Sequence, residues 1–276
     1  MTRHDPMLTR RAALMFAATA AALAPAPRVE AAPRSELIDG PWQRFGNGGD
    51  PDHAAWDAIL SRHLRLGSDG VALFDYAGAS LPEVTAYVTT LEAVDPTSLS
   101  RDAAFAYWAN LYNAVTIQVV LENWPVSSIL RIGGSLFSPG PWKDKRTTVA
   151  GVALSLDDIE HGILRPVWGD ARVHYAVNCA SIGCPNLKAT SWRAAELSSA
   201  LDAAARDYVN HPRGAQVSGG SLRVSSIYDW FQADFGGTDS GVISHLRQYA
   251  APDLAAQLAG INRIAGDDYD WNINAA

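Results

Sequence analysis

Apolar residues recur at helical spacing along most of this chain, interrupted by short stretches with strand character. Asp50-Pro51 opens the first helix as a cap followed by proline, and Trp56, Ile59, Leu60 and Leu64 mark its apolar face. Val71 to Tyr76 reads as a strand, and Ser80 starts a second helix with Val84, Tyr87, Val88 and Leu91 on one side. Ser100 caps a longer helix in which Phe105, Trp108, Leu111, Tyr112, Val115 and Val119 trace one face until Pro125. Asn110 and Asn113 interrupt that helix, as a buried hydrogen-bond network or as its solvent face.

The second half is more broken. A Gly/Pro/Ser loop, 133–141, ends in Trp142-Lys143, and loops of this composition often carry sites. Residues 147–149 and 152–154 flank Ala150-Gly151 as a tight hairpin. Ser155 to Asp158 forms a capping-box variant that starts a helix over 156–165, which Pro166 closes. The alternation of Val173, Tyr175 and Val177 with His174, Ala176 and Asn178 predicts a strand over 172–178. A helix over 193–209 follows, then a hairpin of 215–217 with 222–224 turning at Gly219-Gly220. Two helical stretches come next, one around Tyr228, Trp230, Phe231 and Phe235 and one over 241–259 broken near Pro252, and 269–274 closes the chain strand-like. This order indicates an α+β domain with a small antiparallel sheet packed by helices, rather than repeated βαβ units.

The first residues change the picture of where the chain works. Arg10-Arg11, an apolar stretch from Ala12 to Ala24 too short to cross a bilayer, and the small residues around Val29-Glu30-Ala31 read as a removable export signal over 1–31. Thr9 to Leu14 approximates the twin-arginine pattern, although Ala13 stands where a bulky residue is usual, so the ordinary secretion route is open too. The expected location is periplasmic or secreted, with no membrane anchor after signal removal. Residues 32–50, rich in Pro, Gly and Asn, read as a flexible lead-in, and 51–276 as a single globular domain. Removing 1–31 takes four Arg and two acids from 22 basic and 29 acidic residues, leaving a net charge of −9. That disfavours a nucleic-acid partner, which needs a basic stripe to neutralise phosphates.

The chain has two cysteines, Cys179 and Cys184. Cys179 sits in His174-Tyr-Ala-Val-Asn-Cys-Ala-Ser-Ile-Gly-Cys-Pro185, downstream of Phe105 to Ile117 and of Ser155-Leu-Asp-Asp-Ile-Glu-His-Gly-Ile-Leu-Arg165. Together these segments, over roughly residues 70–240 with the closing Tyr-Asp-Trp, resemble the domain of unknown function 547 family. The family implies no established reaction. Its order, a His segment ahead of a Cys segment, is similar to that of circularly permuted papain-like thiol enzymes, which implies a permuted papain-like core.

A thiol becomes a nucleophile when a base, a cation or a helix N-terminus favours its thiolate. Cys179 is the candidate nucleophile, followed by small residues whose amides can turn towards an oxyanion. His161 is the first choice of base, because its helix is free to dock. Asp157, one turn earlier, is placed to orient the ring. His174, five residues before Cys179, would lie on the opposite face of a continuous strand and is read as a supporting residue of the cleft. Trp142, Asn110, Asn113 and Asn178 are the other candidate cleft residues, and Arg165 reads as balancing its helix dipole. The reading is an exported thiol-dependent hydrolase or acyltransferase acting on an amide, peptide or ester of unknown identity. The alternative is a non-catalytic envelope binding module with a Cys179–Cys184 disulfide. Cys179, Cys184, His161 and His174 are ligand types that zinc takes, but their spacing matches no finger or ribbon. Neither metal nor cofactor is expected: there is no Gly-rich phosphate loop, Gly-x-Ser-x-Gly elbow or His-Glu-x-x-His helix.

Overall fold

The computed structural model describes residue 1, residues 33–135 and residues 138–276, so apart from Met1 the expected export signal lies outside the described residues. Helix α1 (Ala54–His63) leads through β1 (Leu64–Leu66) and β2 (Ala72–Phe74), an antiparallel pair, into α2 (Leu81–Glu92). Helix α3 (Arg101–Glu122) follows, capped by the Ser100 side chain on the Ala103 N–H, as its sequence signals. Two short hairpins come next, β3 (Gly134–Ser135) with β4 (Ser138–Pro139) and β5 (Thr147–Val149) with β6 (Val152–Leu154). Then come α4 (Leu156–Ile159), a π-helical turn (Glu160–Leu164), α5 (Arg165–Trp168) and α6 (Val173–Ala176). The rest is α7 (Leu197–Val209), β7 (Ala215–Ser218), β8 (Ser221–Ser225), α8 (Ser226–Trp230), α9 (Asp239–Tyr249), α10 (Pro252–Leu258) and β9 (Ile264–Asp268). Strand β8 pairs with β7 antiparallel and with β9 parallel. The class is α+β, with small antiparallel pairings packed by helices. Among the described residues no helix is long and apolar enough to cross a membrane.

Helix α3 is the axis of the larger core. The spacing predicts one apolar face, but the helix is buried nearly all round, from Ala103 to Ile117 without a break. A helix covered on every side needs partners for each polar group, and Asn110 and Asn113 are the two amides involved. The Asn110 side chain donates to the Trp192 carbonyl (3.0 Å) and accepts from the Trp192 N–H (2.9 Å). Its amide also lies 3.3 Å from His53 Nε2, whose Nδ1 meets the Tyr87 hydroxyl at 2.7 Å. Asn110 therefore pins α1, α2 and the segment before α7 to α3, and it does not line a cleft.

A second apolar cluster is built from Tyr175, Tyr208, Val224, Tyr228, Val242 and Leu246 and their neighbours, on α7, β8, α8 and α9. The chain crosses between the clusters at Tyr175 and Ala176, which belong to the second and the first respectively.

The helix expected to open at Asp50-Pro51 begins at Ala54, and the helical run expected to close at Pro166 continues through α5 to Trp168; two further expectations fail, each for a local reason. The predicted strand over 172–178 is instead one turn of helix, α6, followed by extended Val177. Asp170 starts that turn, its carboxylate accepting the Arg172 N–H (2.9 Å) and its carbonyl the Val173 N–H (3.1 Å). Residues 173–178 are all buried, so the alternation in their sequence does not separate an inner from an outer face. The lead-in is not flexible where it is described. Trp42 is buried edge-on against Trp108 at 5.4 Å, and Gly46 and Gly48 donate to the carbonyls of Leu99 and Ser98.

His53 is fully buried, and that burial, with Arg193 nearby, lowers its pKa from 6.5 to about 4. Below pH 6.5 the unfolded chain protonates this ring and the folded chain does not, so its contribution is complete above 6.5 and is lost as pH falls towards 4. The unfolding free energy from urea titration should drop across that window by on the order of 3 kcal/mol from this group. In His53→Gln that share of the pH dependence should disappear; an unchanged slope would show that other groups carry it.

Candidate active site at the seam of the two cores

The cysteine turn is held from three directions. The Asn113 side chain accepts the Asn178 N–H (2.8 Å) and donates to the Ala176 carbonyl (2.9 Å), fixing the chain on both sides of Val177. The Asn178 side chain accepts the Ala180 N–H (2.8 Å) and donates to the Pro185 carbonyl (2.8 Å), closing the turn on itself. Ala180 is thereby kept left-handed, at φ 60°, a conformation that costs a residue with a Cβ roughly 1–2 kcal/mol. The C-terminal tail supplies the third tie: Asn274 donates to the Ala180 carbonyl, Ile182 to Asn272 and Gly183 to Asp270, each at 2.8–3.1 Å. Asn113 and Asn178 are thus buried positioning residues, at 2% and 4% exposure, and do not line a cleft as expected.

Both cysteines are free. Cys179 is half-buried, and its sulfur lies 2.7 Å from Cys184 Sγ, 3.1 Å from Ser181 Oγ and 3.1 Å from the Tyr269 hydroxyl. Cys184 is buried and accepts the Cys179 N–H (3.0 Å) and the Tyr269 hydroxyl (3.1 Å). The environments push the two thiols apart. Burial and then the Cys184 sulfur raise the Cys179 pKa, whereas at Cys184 the hydrogen bonds outweigh burial and bring it down to about 7. Among the described residues no histidine nitrogen is hydrogen-bonded to either sulfur.

These sulfurs line a cavity of about 320 Å³. Trp142, Trp230, Phe231 and Trp271 form its aromatic wall, with Trp271 packed edge-on to Trp142 at 5.8 Å and stacked on Trp230 at 5.4 Å. Gly140 accommodates the Trp142 ring, since a Cβ there would come within 1.9 Å of it. Asp157, Glu160, His161 and His174 form a polar wall. The helical turn α6 brings His174 to this cavity, where an extended strand would have turned it away.

In the polar wall, His161 Nδ1 lies 3.1 Å from Arg165 Nη1. A guanidinium only donates, so Nδ1 accepts and Nε2 carries the proton of the neutral ring, 3.8 Å from Asp157 Oδ1. Burial, with Arg165 and His174 outweighing the opposing pull of Glu160, lowers the His161 pKa to about 4. Glu160 goes down to about 2: burial opposes its charge, but His161, His174 and Arg165 more than compensate. Asp157 rises to about 6, from burial and then from repulsion by Glu160. Asp234 meets Arg165 Nε (2.6 Å) and His174 Nε2 (2.7 Å), which hold its carboxyl well below the usual range despite burial. Arg165 thus serves an ion pair rather than a helix dipole. His174 stacks on Phe231 at 4.2 Å with its Nδ1 3.5 Å from Glu160, so a carboxylate faces each nitrogen. Among the described residues no group of three or more His, Cys, Asp or Glu is arranged to hold a metal ion.

The π turn runs into a proline. Pro166 has no N–H, so the carbonyl of Gly162 lacks a partner in α register and that of His161 lacks one in π register, where Arg165 N–H goes to Glu160. The lead-in satisfies both, with Glu36 N–H on the His161 carbonyl and Ile38 N–H on that of Gly162, each 3.1 Å. Arg165 Nη1 also donates to the Pro33 carbonyl (2.7 Å), and Pro33 lines the cavity. Gly162 permits this approach, since a Cβ there would lie 2.8 Å from Ile38 Cγ2.

Residues 96–209 match the family described as protein of unknown function, DUF547. The chain carries a domain of that family. The match is narrower than the 70–240 read from the motifs, and it contains both cysteines and Asp157, Glu160, His161 and His174. Pro33, Trp230, Phe231, Tyr269 and Trp271 fall outside it, so the matched segment supplies both cysteines and the acids and imidazoles of the polar wall, while flanking chain completes the cavity. No curated protein and no solved structure matches the chain.

Glu36→Pro and Ile38→Pro each remove one N–H from the π turn and should release the lead-in, with a loss of about 1–3 kcal/mol for the unsatisfied carbonyl. Limited proteolysis ahead of Trp42 should become faster in both, while Leu37→Ala, at an exposed position making neither bond, should match the parent. Equal protection in all three would mean that the π turn does not depend on this strand.

Proposed function

We propose that the protein is an exported thiol-dependent hydrolase or acyltransferase acting on an amide, peptide or ester, with Cys179 as nucleophile. The observation that carries this reading is the pairing of a half-buried thiol with a carboxyl–imidazole wall across one cavity of about 320 Å³, a size suited to a small ligand or one residue of a longer chain. The export signal expected over 1–31 and the papain-like order of the His and Cys segments are parts of the same proposal.

The roles differ from those suggested by residue type. His161 has its acceptor nitrogen engaged by Arg165, which leaves the Nε2–H as a donor towards a substrate oxygen. Asp157, titrating at about 6, is the group of this wall suited to take and return a proton near neutral pH. Cys179 sulfur attacks the carbonyl carbon and its proton passes to Asp157 through the substrate or one bridging water. The C–N or C–O bond breaks as Asp157 returns that proton to the leaving group. Water, or an acceptor amine or alcohol, then cleaves the thioester by the reverse sequence. The apolar rings of Trp142, Trp230 and Trp271 favour a substrate with a flat or apolar group next to the reacting carbonyl.

Hydrolysis of p-nitrophenyl acetate by the reduced protein, with acylation of Cys179 followed by intact mass, tests this. The base must be ionised, so the rate should rise with pH through about 6 and level off above 7. Asp157→Asn should remove that limb and lower the rate by about 100-fold or more, while His161→Ala lowers the rate and keeps the limb. A limb lost in His161→Ala and kept in Asp157→Asn would reverse the two roles, and full activity in Cys179→Ser would end the thiol reading.

A further inference from the structure

The two sulfurs lie closer to each other than to any basic nitrogen, and their surroundings are unequal. We infer that Cys179 and Cys184 form a reversible dithiol–disulfide couple open to the cavity, giving the protein a thiol–disulfide exchange activity towards small disulfides. This differs from the acyl chemistry above and requires neither Asp157 nor His161.

Proximity is the first support: the sulfurs are 2.7 Å apart on a turn held at Ala180, Ile182 and Gly183 by the C-terminal tail, so the closed pair requires little backbone movement. Asymmetry is the second. Both cysteines line the cavity, but Cys179 is half-buried and the more accessible to a substrate, whereas Cys184 is buried at 4% exposure. The Cys179 N–H and the Tyr269 hydroxyl both point at Cys184 Sγ, the donors a thiolate needs, and its pKa comes down to about 7. Tyr269 is the third. Its hydroxyl touches both sulfurs at 3.1 Å and Ser181 Oγ at 2.8 Å, so one side chain serves whichever sulfur carries the charge.

The exchange balances without a further reactant. Cys184 first gives its own proton to solvent and then takes up that of Cys179; Cys179 attacks one sulfur of R–S–S–R, the substrate bond breaks and R–S⁻ leaves, protonated by solvent. Cys184 loses its proton and attacks Cys179 Sγ, forming the intramolecular disulfide and expelling the second thiol. Two electrons pass from the cysteine pair to the substrate disulfide, and the pair's two protons are balanced by those on the two thiols released. The reverse sequence, with two small thiols, restores the dithiol.

Oxidised glutathione is the probe, with the reduced, folded full-length chain at pH 7.5. The protein should lose two mass units and release two glutathione thiols per chain, and dithiothreitol should restore the original mass without denaturant. Cys184→Ser should stop at a glutathione adduct mapped by digestion to Cys179, and Tyr269→Phe should slow closure severalfold. Absence of both mass loss and adduct overturns the inference. So does a disulfide that is reduced only after unfolding, which would make the pair a structural cross-link. The readout is the mass at two sulfurs, so its failure leaves the ester assay standing, and failure of that assay leaves this result standing.

Discussion

The site hangs on one side-chain amide, Asn113. Its helix is buried on every side, so the amide has no route to water and must find two partners within the protein, which it does on the Ala176 carbonyl and the Asn178 N–H. Those two bonds straddle Val177, just past the point where the chain passes from one core to the other. They also set the start of the turn that Asn178 closes and that holds Cys179 at the cavity. A buried amide whose partner is lost costs about 1–3 kcal/mol, so the native arrangement is strongly preferred over one in which the turn slides by a residue. The central helix thereby transmits its own rigidity to a short irregular segment that has no sheet or long helix to define it.

A second constraint is charge. Glu160 is an acid with 7% exposure in a wall shared with Arg165, His161 and His174, and Asp234 closes the far end. A lone buried carboxylate would be neutralised by a rise in its pKa; here the facing His161, His174 and Arg165 outweigh burial and keep it ionised. The same negative charge reaches Asp157 without the same compensation, and so Asp157 is pushed up to about 6. One wall therefore contains a permanently charged acid beside one that titrates near neutrality. That division of roles comes from which carboxyl the guanidinium and imidazoles face.

Much of the fold is legible in the sequence because its signals are local. The serine caps of α2, α3 and α4, the hairpins at Ala150-Gly151 and Gly219-Gly220 and the apolar faces of α1 and α2 depend on neighbours a few residues away, and they stand where the pattern puts them. Cys179, Cys184, His161, Asp157, His174 and Trp142 likewise converge on one cavity. What the sequence conceals depends on partners distant along the chain. Alternation over 173–178 imitates a strand because both sides of that segment are covered. Asn110, Asn113 and Asn178 look like ligand-facing amides, yet their bonds go to backbone groups brought in by the fold. Glu160 stands beside His161 in the motif, and Tyr269 belongs to the closing Tyr-Asp-Trp pattern, so both had a signal that residue type alone did not make functional. Asp234, 60 residues from His174, had none.

Pro166 links these strands of the structure. By withholding one N–H it leaves carbonyls in the turn that carries His161 without helical partners, and a buried carbonyl must be satisfied from somewhere else. The lead-in does this with alternate N–H groups, at Glu36 and Ile38, and only a glycine at 162 lets the strand come close enough. Arg165, adjacent to the proline, then bonds the Pro33 carbonyl with the same guanidinium nitrogen that faces His161 Nδ1. The hydrogen-bonding state of the imidazole is therefore coupled to a segment more than 120 residues earlier in the chain, through one arginine. Were the turn a regular α-helix, Pro166 would leave only the Gly162 carbonyl without a helical partner, and the lead-in would have one carbonyl to bond there instead of two. The irregular turn sets the chemistry of the polar wall and the course of the chain that borders it.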